Sequence, residues 1–111
     1  MPSISFRIDA PVTGYKASWV ASKGKPYQDY KKRVLFLACA QGWPAKVVSV
    51  KTWPVRISYE IRWKKSPRVD WSNVIKAIED SLFAQDRWVF PGVINVIWDT
   101  GEEYVDVKMD Y

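Results

Sequence analysis

Arg68-Val69-Asp70-Trp71-Ser72-Asn73-Val74-Ile75-Lys76-Ala77-Ile78-Glu79-Asp80-Ser81-Leu82 is the stretch that decides how this chain folds. At about 3.6 residues per turn, a helix over 70–84 beginning near Asp70 puts Asn73, Lys76 and Asp80 on one narrow face. Trp71, Val74, Ile75, Ile78 and Leu82 gather on the opposite face. Such a helix buries one side and offers the other to solvent or to chemistry. Read for structure alone, Asp70 is an N-cap, and Lys76 and Asp80 are a surface ion pair one turn apart.

Upstream, Lys64-Lys65-Ser66-Pro67-Arg68 is a basic loop fed by a strand from Val55 to Trp63. Val55, Ile57, Tyr59, Ile61 and Trp63 share one face of that strand, and Arg56, Ser58, Glu60 and Arg62 the other. Residues 45–52 read as loop or as a short strand around Val47-Val48-Ser49-Val50. A helix from Tyr27 to about Gln41 follows Pro26, turns Tyr30, Val34, Leu37 and Cys39 inward, and keeps Lys31, Lys32 and Arg33 near its outer face. Gly42-Trp43-Pro44 ends it. Ile4 to Ile8 alternates as a half-buried strand, and residues 9–25 form a long loop carrying Lys16, Lys23 and Lys25. Downstream, residues 85–91 are a connection with Pro91-Gly92 turn chemistry. Val93–Trp98 and Tyr104–Met109 then form a hairpin around Asp99-Thr100-Gly101. The order is β-α-(β)-β-α-β-β: an α+β fold with a single mixed β-sheet and two main helices, one domain over residues 1–111.

The chain has 111 residues, 48% of them hydrophobic, with one cysteine and no histidine. That excludes histidine bases, histidine triads and Cys/His zinc sites, so any metal would be a hard cation on carboxylate oxygen. Cys39 lies in an apolar helical run and is expected to be a buried thiol. No apolar run reaches the ~18 residues of a membrane span, and the N-terminus does not read as a signal peptide; the expectation is a cytoplasmic protein with no membrane partner. Residues 1–77 carry 15 Lys/Arg against 4 Asp/Glu, and residues 78–111 carry 2 against 8, within a net charge of +5. A basic body with an acidic end suits nucleic acid, or its two halves pair in space. Of the seven tryptophans, Trp63 and Trp88 fit core or strand positions, whereas Trp19 and Trp43 stand in loop-like sequence as candidates to stack on bases.

Asp70, Lys76 and Asp80 supply part of what a two-metal nuclease needs, namely carboxylates to hold cations and a lysine to stabilise phosphate charge. Arg68-Val69-Asp70-Trp71-Ser72-Asn73, followed by Lys76 and Asp80-Ser81-Leu82, resembles the R-x-D-x-D-N-x-x-K-x-x-x-D-A-L motif of the RusA family of Holliday-junction resolvases. Tyr27-Gln28-Asp29-Tyr30 before Lys31-Lys32-Arg33 suits that family's first helix. Element order and length agree over almost the whole chain, while only the 68–82 motif is specific. The resemblance implies a RusA-like fold, a homodimer, binding of four-way DNA junctions in recombination and repair, and cutting with magnesium or manganese. Asp70 and Lys76 are then the matched catalytic residues and Asp70 the matched metal ligand. Lys23, Lys25, Lys64, Lys65, Arg68, Asn73 and Lys76 become the candidate DNA-binding residues.

The chain departs from the family at the chemistry. The second aspartate of D-x-D-N is Ser72, and the later D-D pair falls near Val89-Phe90-Pro91, where there is no acid. One carboxylate beside Lys76 holds a divalent cation weakly or not at all, whereas a phosphate is welcomed by Lys64, Lys65, Arg68 and Lys76 at a helix N-terminus. The expectation is a protein that binds branched or duplex DNA with cleavage impaired. Two alternatives stand beside it: an active nuclease using substitute acids such as Asp86, Glu79 or Asp80, and an interaction protein that kept the fold without nucleic acid.

Overall fold

Alternation makes one strand central. In β2 (Val55–Arg62), Val55, Ile57, Tyr59 and Ile61 are buried, while Arg56, Ser58, Glu60 and Arg62 point to the other side. A computed structural model describes residues 3–9, 11, 25–43, 54–67, 69–83 and 87–111. Around β2 it places β1 (Ser3–Ile8), β3 (Val89–Ile97) and β4 (Tyr104–Asp110) in the order β1-β4-β2-β3. β4 runs antiparallel to β1 and to β2, whereas β3 is parallel to β2. Helices α1 (Lys25–Ala40) and α2 (Trp71–Leu82) pack on each other, and α1 reaches β1. Ile8, Val105, Val107 and Met109 of the sheet share one core with Val34 and Ala38 of α1 and with Val74 and Ile78 of α2. The α+β class, the single mixed sheet and the two main helices are those the sequence predicts. The short strand read as an alternative around Val47–Val50 lies outside the described residues. No described helix is long and apolar enough to cross a membrane.

The predicted β3–β4 hairpin does not form, because β2 lies between the two strands. The turn at Asp99-Thr100-Gly101 arches over the end of β2 instead. Asp99 N–H donates to the Lys65 carbonyl (2.7 Å), Gly101 N–H to that of Lys64 (3.2 Å) and Thr100 N–H to that of Trp63 (3.3 Å). Asp99 and Gly101 take positive φ values of 58° and 78° to make this arch. Nor is 85–91 all connection, since β3 already begins at Val89 and runs through Pro91-Gly92. Proline is tolerated there because β3 is a terminal strand of the described sheet. Glycine is needed because a Cβ at position 92 would stand 2.2 Å from Ser58 Oγ and 3.3 Å from the Ile57 carbonyl oxygen. The β2–β3 register shifts at this point, from Ile57 opposite Pro91 to Tyr59 opposite Ile94.

Two further expectations are corrected at the end of α1. Cys39 is exposed. The buried residues of the helix are Tyr27, Val34 and Ala38, and the next position lies about 100° further round. Trp43 is buried, not free to stack on bases. Gly42 adopts φ 102°, and the helix closes with Trp43 N–H bonded to the Ala38 carbonyl (2.9 Å) and Gly42 N–H to that of Cys39 (3.1 Å). This reversal throws the indole back between Phe6 and Phe83, edge-on at 5.6 and 5.5 Å. The same end of α1 closes the outer edge of β1. The Gln41 side-chain amide accepts from Arg7 N–H (2.8 Å) and donates to the Arg7 carbonyl (2.7 Å), taking the place of a neighbouring strand. Arg7 and its cross-strand partner Asp106 are therefore a non-hydrogen-bonded pair of the ladder, where side chains approach most closely, and they meet in a two-point ion pair at 2.7 and 3.0 Å.

Candidate functional site

α2 is set by its apolar residues. Val74, Ala77, Ile78 and Leu82 are buried, which fixes the rotation of the helix on the sheet. Asp70 precedes it in extended conformation, and its carbonyl receives Asn73 N–H (3.0 Å) and Val74 N–H (3.3 Å). The Asp70 carboxylate makes no capping bond and is exposed. With the apolar stripe buried, Ser72, Lys76, Glu79 and Asp80, spaced one and two turns apart, face a groove between α2 and β3. Ile57 and Tyr59 of β2 form its floor, Pro91 and Ile94 of β3 its far wall, and Trp71 and Ile75 complete the helix side. The groove encloses about 490 Å³.

Its polar groups are unequally tied. The Tyr27 hydroxyl donates to Asp80 at 3.1 Å. Burial, and then the Asp80 charge, push the Tyr27 phenol up to about 12. Lys76 and Asp80 do not form the ion pair that their spacing suggests, because Asp80 is turned to Tyr27. Tyr59 is buried, and its phenol is raised far above the ordinary tyrosine value by burial first and by the neighbouring Glu79 carboxylate second. Glu79 lies close enough to act on it electrostatically, yet the Tyr59 hydroxyl makes no hydrogen bond of good geometry.

The predicted site residues divide into separate places. Lys76 lies in the groove together with Ser72 and with Pro91, the one of residues 89–91 that lines it; Val89 and Phe90 do not. Asp70 and Asn73 do not line it. Lys64 and Lys65 are exposed on the bend after β2, with their carbonyls bonded to the turn that carries Asp99 and leads to Glu102. Arg68, Lys23 and Asp86 lie outside the described residues, and for Lys25 only the backbone, at the start of α1, is described. Part of the basic charge is paired: Arg7 with Asp106, Arg33 with Asp9 and Arg62 with Glu60.

The sequence reading assigned Trp71 to the buried face, whereas it is 49% exposed at the rim of the groove. It is the first residue of α2. The sequence reading also missed how Glu79 and Asp80 enter the groove together. The signal was available in the spacing of 72, 76, 79 and 80, which all fall on one helical face.

A divalent cation does not fit these donors well. Asp80 is engaged by Tyr27, the Lys76 ammonium occupies the same groove, and Asp70 is elsewhere. Among the described residues no group of three or more Asp, Glu or Cys side chains converges as metal ligands. Compared with models of known protein families and with curated proteins, the chain matches none.

Proposed function

We propose that this is a RusA-like DNA-binding protein, acting in the cytoplasm as a homodimer on branched or duplex DNA, with strand cutting impaired. One observation carries the reading: Pro91 of β3 lines a single groove with Ser72 and Lys76 of α2. The motif resemblance sets the second carboxylate at Ser72, the lysine at Lys76 and the late carboxylate pair near Val89-Phe90-Pro91. With serine and proline in place of acids, the groove keeps a cation for phosphate and loses the charge that would fix metal ions for in-line hydrolysis. Lys64 and Lys65, exposed on the bend after β2, add a second positive place.

Titrating a labelled four-way junction, with and without magnesium, tests this. The expected result is salt-dependent binding without cutting. Lys64→Glu with Lys65→Glu should weaken binding to all sequences alike and flatten the salt dependence by about two phosphate contacts. Undiminished binding by that double variant would reduce the basic bend to a solvated surface. A second reading, an active nuclease, draws on Glu79 and Asp80, which line the groove beside Lys76 on the same face of α2. Magnesium-dependent cutting lost in Asp80→Asn or Glu79→Gln would establish it in place of the first.

A further inference from the structure

The groove between α2 and β3 is unlike a surface that only tracks a phosphate backbone. Apart from the Tyr59 hydroxyl, its floor and far wall are apolar, and the other polar groups stand on the helix side. At about 490 Å³ it has the size of a small-molecule pocket and is far too narrow for a duplex. At its rim stands an indole with half its surface in water. We propose that this groove takes a single unpaired nucleobase, stacked on Trp71, with Lys76 at its phosphate and Ser72 and Glu79 at its polar edge. The proposal rests on the DNA-binding reading above and deepens it.

Each part of the groove suits that occupant. A base is flat and apolar on its faces and has donors and acceptors around its edge. Pro91, Ile94 and Ile75 offer apolar contact to the faces, and Trp71 offers an aromatic plane. Glu79 can accept from exocyclic amino or ring N–H groups, while the Ser72 hydroxyl can donate or accept. Lys76, without an ion pair to Asp80, supplies the charge that a nucleotide phosphate needs. An apolar peptide side chain would fill the floor but leave Lys76 and Ser72 unmatched. Junctions, bulges and mismatches carry bases that leave the stack at low cost, so the groove would distinguish such DNA from a perfect duplex.

The test uses the full chain and three DNAs of one sequence: a perfect duplex, a duplex with 2-aminopurine opposite an abasic site, and a four-way junction. Wild type should quench the 2-aminopurine and prefer the abasic duplex over the perfect one. Trp71→Ala should lose the quenching and weaken abasic-duplex binding by about 10-fold or more, the scale of one lost base–aromatic stack. Perfect-duplex binding should not change, and Trp71→Phe should restore most of the preference. The melting curve of Trp71→Ala should stay near that of wild type, which separates loss of stacking from loss of fold. If Trp71→Ala binds and quenches like wild type while Lys64→Glu with Lys65→Glu abolishes binding, the base pocket is wrong and the DNA-binding reading stands. If no DNA binds, both fall.

Discussion

Gly92→Ala is the most demanding probe of how the groove is held in place, because β3 brings Pro91 to Ser72 and Lys76 only in its observed register with β2. A Cβ on residue 92 would lie 2.2 Å from Ser58 Oγ, 3.2 Å from Arg56 Cγ and 3.3 Å from the Ile57 carbonyl oxygen. The hydroxyl has to give way, and it is the acceptor for Val93 N–H at 3.0 Å. Losing that bond costs about 1 kcal/mol, and residual crowding against the Ile57 carbonyl adds about 1 kcal/mol or more. Replacing glycine returns about 0.4–1 kcal/mol by restricting the unfolded chain, since Gly92 is not among the glycines with positive φ. The net expectation is a loss of about 1–2 kcal/mol. With Ser58→Ala the first clash is gone beforehand, so adding Gly92→Ala should be close to neutral. The coupling between the two changes should therefore be about 1 kcal/mol or more. Urea unfolding of the wild type, both single variants and the double variant measures it. Strict additivity, with a Gly92→Ala cost unchanged by Ser58→Ala, would refute the close packing of β3 on β2.

Ile78→Asp should prevent cooperative unfolding by circular dichroism, since it buries a carboxylate without a partner among Val74, Ala77 and Leu82; an unchanged melting curve would contradict the placement of α2. Tyr27 makes stability sensitive to alkali. Below its ordinary value of 10.0 the phenol is protonated in both states and its contribution is complete; as pH rises toward about 12 the unfolded chain ionises first, so stability falls. Tyr27→Phe should flatten that part of a pH–stability curve. Light scattering at micromolar concentration should give twice the 12.9 kDa chain mass, and a single monomeric species would refute the homodimer. Junction cutting with magnesium or manganese should be absent or very slow in wild type and gained in Ser72→Asp with Pro91→Asp, both of which face the groove; strong wild-type cutting would overturn the impaired-cleavage reading.

What could be read from the sequence was what neighbouring residues decide among themselves. The alternation of β2 and the apolar stripe of α2 are local patterns, and both elements appear within a residue or two of their predicted bounds. Asp99-Thr100-Gly101 correctly announces a turn, but the same residues serve a hairpin or an arch. The choice falls to the carbonyls of Trp63, Lys64 and Lys65, some 35 residues earlier. Trp43 looks like part of a loop because its neighbours are glycine and proline. Its burial depends on a helix-ending reversal that aims it at Phe6 and Phe83. The groove was half legible: the helical spacing gathers Ser72, Lys76, Glu79 and Asp80, whereas the arrival of Pro91 depends on the β2–β3 register, which no local pattern encodes.

The Gln41 amide on the edge of β1 bears on how copies of this chain can assemble. The described sheet ends in β1 on one flank and β3 on the other, and the two are not alike. At one, a side chain already occupies both main-chain groups of Arg7. At the other, the nine residues Val89–Ile97 carry no charge to repel a strand laid alongside them. Two molecules joined through β3 would each turn β1 outward, where Gln41 already holds the main chain of Arg7. A further strand added there would have to displace that amide, so lateral growth of such a pair into a fibre would be opposed.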